Sequence, residues 1–172
     1  MAILPIITAP DPRLKEVSAP VEAVTDELRA LMDEMLETMY AAPGIGLAAI
    51  QVGVAKEIIV IDLGEEDGME KPLYLANPRI LETSPGIKVY SEGCLSVPDE
   101  YAEVTRPDGV RIAYLDYDGK EQVLEAEGLL ATCIQHEMDH LKGVLFIDRL
   151  SALKRNMILR RLVKTRRQKA AE

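Results

Sequence analysis

The sequence has no tryptophan and only one phenylalanine, so any hydrophobic core must be built mainly from aliphatic side chains. No apolar run approaches the ~20 residues that a membrane-spanning helix needs. The N-terminal segment has no basic region before its short apolar run, which argues against a signal peptide. We therefore expect a cytoplasmic protein that does not associate with a membrane. Its two cysteines, Cys94 and Cys133, could form one disulfide, but a reducing compartment argues against that.

Charge is distributed unevenly along the 172 residues, whose formal net charge is −9. Residues 151–172 contain eight basic side chains and one acidic side chain, whereas the rest of the chain is strongly acidic. This asymmetry concerns partners rather than fold. The length, and the absence of a repeat or linker, predict one domain over residues 1–172, with a basic C-terminal helix at about 151–169 that Ser151 can cap.

The pattern of apolar residues predicts a helix, then strands, then two more helices. Thr25 can cap a first helix, and Pro43-Gly44 ends it. Five strand-like runs follow, separated by turn sequences and by an exposed loop at 64–72. They are EIIVIDL, LYLANP, GIKVYSE, GVRIAYLDY and KEQVLEAEG. A helical pattern returns over 129–141. This order predicts an α+β fold whose largely antiparallel sheet packs around the 129–141 helix, with a helix at each end of the chain.

The segment His136-Glu137-Met138-Asp139-His140 has the H-E-x-x-H pattern. Four residues advance a helix by about one turn, so both imidazoles lie on one face and can bind the same metal ion. Glu137 lies beside them, near enough to reach a metal-bound water without being a ligand. The alternative is a surface helix with solvated histidines and acids.

A catalytic metal generally has three protein ligands, and His136 and His140 are the only histidines. The two cysteines compete for the third position. Cys133 lies about 10 Å from His140 along the helix axis, too far for metal bonds of about 2.0–2.3 Å to converge. Cys94 follows a strand and a glycine that allows close backbone approach, so it is the predicted third ligand.

A glycine-containing segment, GIGLAAIQ at 44–51, follows the first helix. Its glycines permit tight backbone passage near a ligand, and Gln51 offers an amide donor. Taken together and in order, GIGLAAIQ, EGCLS at 92–96 and QHEMDH at 135–140 resemble the motifs of the peptide deformylases. The resemblance extends from PIITAPDPRL near the N-terminus to FIDRLS before the last helix.

The resemblance implies an activity and a role for each motif residue. The substrates would be nascent chains beginning with N-formylmethionine, from which hydrolysis releases formate. Cys94, His136 and His140 would bind the metal, with Fe²⁺ as the native ion and Zn²⁺, Ni²⁺ or Co²⁺ as other occupants. Glu137 would carry the proton. Gln51 and the backbone N–H of Leu95 would stabilise the oxyanion, and Gly46 would bind the peptide backbone.

Three further expectations concern the surroundings of this site. Helical spacing places Leu129 and Cys133 beside the metal-binding face, where with Ile45 they could line a pocket for the methionine side chain or simply pack in the core. Glu92 and Arg106 could form a supporting ion pair across a turn region at 97–105, or could be ordinary solvated charges.

The basic tail has two interpretations. An apolar stripe of Leu153, Met157, Ile158, Leu162 and Val163 could hold the last helix to the body. The resemblance implies that this helix reaches the ribosome, whereas the simpler alternative is a solvated helix complementing an acidic domain.

Two other classes of protein compete with a deformylase. A zinc endopeptidase would share H-E-x-x-H, although a third histidine is missing and EGCLS is present. A non-catalytic metal-stabilised binding protein would need a fourth protein ligand, and the sequence offers none.

Overall fold

A computed structural model describes residues 2–171, which form three α-helices and seven β-strands. The helices are α1 (Asp26–Ala41), α2 (Gly128–Leu141) and α3 (Ala152–Ala171). The strands are β1 (Gly46–Ala48), β2 (Ile58–Ile61), β3 (Leu73–Thr83), β4 (Ile87–Cys94), β5 (Val97–Pro107), β6 (Gly109–Leu115) and β7 (Glu121–Glu127). The α+β prediction is confirmed.

The strands form two antiparallel sheets. One contains five strands in the order β1-β2-β3-β6-β7, and the other pairs β4 with β5. All five strand pairs within residues 2–171 are antiparallel. Among the described residues, β1 and β4 are therefore each paired on one side only, and each has an unpaired edge.

Helix α2 lies within the core, because every residue from Ala131 to Leu141 is buried. Its apolar side packs with β2, β3 and β6 in one cluster that includes Ile59, Leu75 and Ile112. Helix α1 packs on the opposite side of β2 through Met32, Met35 and Met39. The packing of the core thus fixes the position of α2, the helix that contains both histidines.

The predicted caps are present. The Thr25 side chain accepts a hydrogen bond from the Leu28 N–H, and Ser151 accepts one from the Lys154 N–H at 3.2 Å. Gly143, just after α2, has a φ of +75° and packs against the Lys15 carbonyl, so a side chain there would be strained and obstructed. The 64–72 loop is largely exposed, as expected, and contains one short 3₁₀ turn, Glu65–Asp67.

Two sequence-based assignments are wrong, the turn region at 97–105 and part of the α3 stripe, and one short strand was not assigned. Residues 97–105 are not a turn region but most of β5, which pairs with β4 along its length. Residues 46–48 of the glycine-containing segment form an edge strand, β1. In the predicted stripe of α3, Ile158 and Leu162 are buried, but Leu153 and Met157 are exposed.

No helix among residues 2–171 combines the length and the apolar character required to cross a membrane.

Candidate metal centre and substrate cavity

The three predicted ligand side chains converge although they come from separate elements. His136 and His140 lie on the buried face of α2, and Cys94 is the last residue of β4. The Cys94 Sγ is 3.4 Å from the His140 Nε2, and the three ligand atoms all lie within 4.8 Å of one another. Metal–sulfur and metal–nitrogen bonds of about 2.3 and 2.0 Å require such separations. The donor set therefore fits one divalent metal ion with a remaining open position.

A hydrogen bond orients His136. Its Nδ1 is 2.9 Å from Glu92 Oε1, which leaves Nε2 to face the other ligand atoms. Burial opposes the charged form of His136, but its interactions with Cys94 and Glu92 raise its pKa above the ordinary value. The same neighbours would favour a bound cation in place of that proton. Burial lowers the pKa of His140 to about 3, so this imidazole is neutral and available as a ligand.

The predicted Glu92–Arg106 ion pair is present and belongs to a larger network. Two hydrogen bonds of 2.7 and 2.9 Å join the Arg106 guanidinium to Glu92. Its remaining nitrogen, Nη1, donates to Asp139 Oδ2 at 2.9 Å. Burial alone would raise the pKa of Glu92, but hydrogen bonds from His136 and Arg106 lower it. Both side chains are nearly inaccessible, so the pair is a buried support of the His136 ring rather than a solvated contact.

The Glu137 carboxylate is buried and makes few hydrogen bonds. Its Oε1 lies 3.9 Å from His136 Nε2, and its Oε2 is buried with no hydrogen-bond partner among the described residues. Burial raises the pKa of Glu137 to about 7, a value suited to taking up and releasing a proton near neutrality. A Cβ added at Gly46 would lie 2.8 Å from Glu137 Oε1, so the missing side chain leaves room for this carboxylate.

Gln51 is fixed by hydrogen bonds that aim its amide group. Its Oε1 accepts the Ala48 N–H at 2.9 Å, which directs Nε2 toward Ser96 Oγ at 2.9 Å and Cys94 Sγ at 3.5 Å. Leu95 follows Cys94 in the two-residue turn between β4 and β5, and it lines the cavity described next. Ser96 is fully buried, and its hydroxyl oxygen accepts the hydrogen bond from the Gln51 amide. The sequence analysis did not assign it a role, although it belongs to the EGCLS motif.

A cavity of about 860 Å³ lies beside these groups; Gln51, Ser96 and His140 are not among the residues that line it. The predicted pocket residues Ile45, Leu129 and Cys133 all line it, together with Cys94, Leu95, His136 and Glu137. Cys133 is not one of the three clustered ligand residues, and burial raises the pKa of its thiol well above the ordinary value. As a neutral apolar side chain it suits a pocket wall better than a metal site.

A half-buried cysteine sulfur and two buried imidazoles form this cluster, and the buried Glu137 carboxylate lies on the same helix as both histidines. This arrangement is that of a metal-dependent hydrolase. The model of the polypeptide deformylase family matches residues 3–156, and the chain belongs to that family. Peptide deformylases remove the formyl group from N-terminal methionine, so membership supports deformylation over the zinc-endopeptidase alternative.

Relatives and solved structures agree with this assignment over nearly the whole chain. A peptide deformylase of Rhizobium meliloti (strain 1021) is 55% identical over all of this chain and 99% of its own length. One of Phenylobacterium zucineum (strain HLK1) is 60% identical over 95% of this chain and 97% of its own. The crystal structure of peptide deformylase from Ehrlichia chaffeensis superposes with a TM-score of 0.95 at 40% identity, covering 98% of this chain and 99% of that one.

Proposed function

We propose that Cys94, His136 and His140 hold the catalytic metal and that Glu137 is the proton carrier for deformylation of N-formylmethionyl nascent chains. The observation that carries the proposal is the convergence of three ligand atoms beside a buried carboxylate that has an unpartnered oxygen. On this basis residues 1–172 act as one catalytic domain with a basic C-terminal helix, and helix α2 is its metal-binding centre.

Each side chain around the site then has a task in the hydrolysis. A divalent metal held there would supply Lewis acidity and a water molecule of lowered pKa. Glu137 would accept the proton of that water and deliver it to the departing α-amine. The Gln51 amide and the Leu95 N–H would donate hydrogen bonds to the oxygen of the attacked formyl group. A preorganised donor of this kind typically lowers the barrier by about 3–4 kcal/mol.

The donor set is compatible with several metals. One thiolate and two imidazoles accept Fe²⁺, Zn²⁺, Ni²⁺ or Co²⁺, so the ligands do not discriminate among them. We propose Fe²⁺ as the native ion because the motifs match those of the peptide deformylases, and the other three as occupants that the site can accept.

The substrate peptide has a place between two strands. β1 and β4 both border the cavity through Gly46 and Gly93, and each has an unpaired edge within the described residues. An extended peptide could therefore add as a strand, with its backbone bonded to the segment containing Gly46. Its methionine side chain would enter the apolar wall formed by Ile45, Leu129 and Cys133.

The direct test is formate release from formyl-Met-Ala-Ser. We expect rapid release by the metal-loaded protein, no release from the acetylated analogue, and a KM at least tenfold higher for formyl-Asp-Ala-Ser, because the pocket wall is apolar. Internal cleavage of unformylated peptides without formate release would instead support a zinc endopeptidase. Equal KM values for the two formyl peptides would reject the side-chain pocket.

Helix α3 is proposed to bring the enzyme to the ribosome in the cytoplasm, where nascent chains are made. Ile158 and Leu162 anchor it in a cluster with Phe146. Arg161 pairs with Glu100 on the body, and Arg155 lies 4.0 Å from Asp148. The remaining basic residues make no ion pair among the described residues; they are Lys154, Arg160, Lys164, Arg166, Arg167 and Lys169. Such a row of exposed cations suits RNA phosphates.

Reversing three of these charges tests the ribosome contact without removing the apolar anchor. Replacing Arg160, Lys164 and Arg167 together by Glu should abolish co-sedimentation with ribosomes at low salt, because phosphate contacts are replaced by repulsion. Turnover of short formyl peptides should stay within about twofold of the unmodified protein. Unchanged co-sedimentation of the triple variant would show that α3 is a solvated helix and not the anchor.

A further inference from the structure

We propose that Arg149 is a positioning residue for the metal centre, acting through Asp139 on the end of α2 that contains His140. Arg149 ends the short 3₁₀ helix Phe146–Arg149, which follows α2. It lines no part of the cavity and touches neither the ligands nor the substrate space. The inference rests on the metal site proposed above, and it assigns a contribution to a residue outside it.

The connection from Arg149 to the ligands is a continuous set of hydrogen bonds. Arg149 donates from Nε and Nη2 to the two Asp139 oxygens at 2.6 and 2.7 Å. Asp139 Oδ2 also accepts Arg106 Nη1 at 2.9 Å, and Arg106 holds Glu92 with its two other nitrogens. Glu92 in turn contacts His136 Nδ1. One exposed arginine is thereby joined to a ligand ring through three buried groups.

Charge balance explains why the outer arginine matters. Asp139 lies in the last turn of α2, where the helix dipole disfavours a negative side chain. Without Arg149 the Asp139 carboxylate would depend on Arg106 alone, which must also neutralise the buried Glu92. With Arg149, the network contains two cations, Arg149 and Arg106, and two carboxylates, Asp139 and Glu92. Arg106 can then stay bonded to Glu92, and Glu92 stays against His136.

A second contact ties the same segment to the site. Phe146, in the 3₁₀ helix that ends at Arg149, stacks on the His136 ring with centroids 6.0 Å apart and planes 25° from parallel. The bonds from Arg149 to Asp139 therefore also fix the position of Phe146 against the His136 ring. Outer partners of metal ligands typically change metal affinity by 10- to 100-fold when removed.

The chain supplies a closely matched control. Arg161 donates from Nε and Nη2 to Glu100 at 2.6 and 3.0 Å, the same two-bond geometry. The exposed fractions of the two arginine side chains are 44% for Arg149 and 54% for Arg161, and those of their carboxylates are 12% and 14%. Glu100 lines the cavity but makes no hydrogen bond to Cys94, His136 or His140 among the described residues. Arg161→Gln thus removes an equivalent ion pair without touching the network.

The experiment compares Arg149→Gln, Arg149→Lys and Arg161→Gln in the full chain loaded with Co²⁺. Loss of the cysteine-to-cobalt charge-transfer band after addition of excess EDTA gives the rate of metal release. We expect Arg149→Gln to release Co²⁺ at least tenfold faster than the unmodified protein, Arg149→Lys to fall between the two, and Arg161→Gln to match the unmodified protein. The Tm of each protein is measured with and without metal.

A purely structural role for Arg149 has a different signature. It would lower the Tm of metal-free and metal-loaded protein by the same amount and leave the release rate unchanged, and that result would overturn the proposal. So would equal acceleration by Arg149→Gln and Arg161→Gln. If the unmodified protein shows no charge-transfer band at all, the proposed metal site itself fails, which is distinguishable from failure of the Arg149 assignment alone.

Discussion

Replacing Glu137 with Gln should remove nearly all turnover of formyl-Met-Ala-Ser while leaving the metal content and the fold intact. The amide is almost isosteric with the carboxylate and can still hydrogen-bond in the buried space beside Gly46. It cannot accept a proton from water and return it to the amine. General acid–base groups typically contribute 10²–10⁴ in rate, so we expect kcat to fall by about that factor.

Metal content and circular dichroism provide the controls for this variant. Glu137 is not among the three clustered ligand residues, so Glu137→Gln should bind one metal per chain as the unmodified protein does. A variant that is fully loaded and retains more than about a tenth of the original kcat would exclude Glu137 as the proton carrier. A loss of metal would show that Glu137 acts as a ligand instead.

Replacing Arg106 with Leu should be the most destabilising single substitution around the site. Arg106 is 3% exposed and, within residues 2–171, is the only cation that bonds both Glu92 and Asp139. Its removal leaves the buried Glu92 carboxylate without its guanidinium partner, although Asp139 keeps Arg149. Breaking a buried ion pair typically costs about 3–5 kcal/mol of unfolding free energy. Urea unfolding of the metal-free protein at pH 7 measures this loss. Arg13→Leu, which breaks an exposed pair with Asp11, should change stability by less than about 0.5 kcal/mol.

The unfolding free energy that Arg106→Leu loses should depend on pH. Despite burial, the pKa of Glu92 and that of Asp139 are lowered by their hydrogen-bonded partners in the intact network. Such carboxylates add stability above their unfolded pKa of about 4, and this contribution disappears on acidification. In Arg106→Leu, Glu92 loses its guanidinium partner and burial instead favours its protonated form, whereas Asp139 keeps Arg149. The difference in stability between the two proteins should therefore be largest near pH 7 and shrink toward pH 5; a difference independent of pH would contradict this explanation.

The closeness of His136 and His140 was predictable from sequence because the geometry of a helix is local. Two histidines four residues apart on a helix must share a face, and the helix itself was marked by its apolar spacing and by Gly143. Elimination then selected Cys94, because Cys133 is too far along the helix. The Glu92–Arg106 pair was predicted as well, but on the mistaken basis of a turn between the two residues.

Strand β5 was missed because its sequence resembles a turn. It begins Val97-Pro98-Asp99-Glu100, and Asp99 has a positive φ of 61°, so its first residues are typical turn formers. Pairing with β4 overrides that local preference. The role of Asp139 was also invisible, because its partners Arg106 and Arg149 come from β5 and from the segment after α2. Nothing in the spacing of single residues indicates that these three groups meet.

The placement of the ligands has a thermodynamic consequence for the whole chain. Cys94 belongs to the two-stranded sheet and His140 to the core helix, 46 residues further along the sequence. A metal bound by both would cross-link the chain as a disulfide does. On the chain-entropy model, closing a loop of that length raises the free energy of the unfolded state by about 4 kcal/mol. The two-stranded sheet has only one paired neighbour per strand, and isolated pairs of strands are marginal in water. A metal ion held by these side chains would then also restrain the position of this sheet relative to α2.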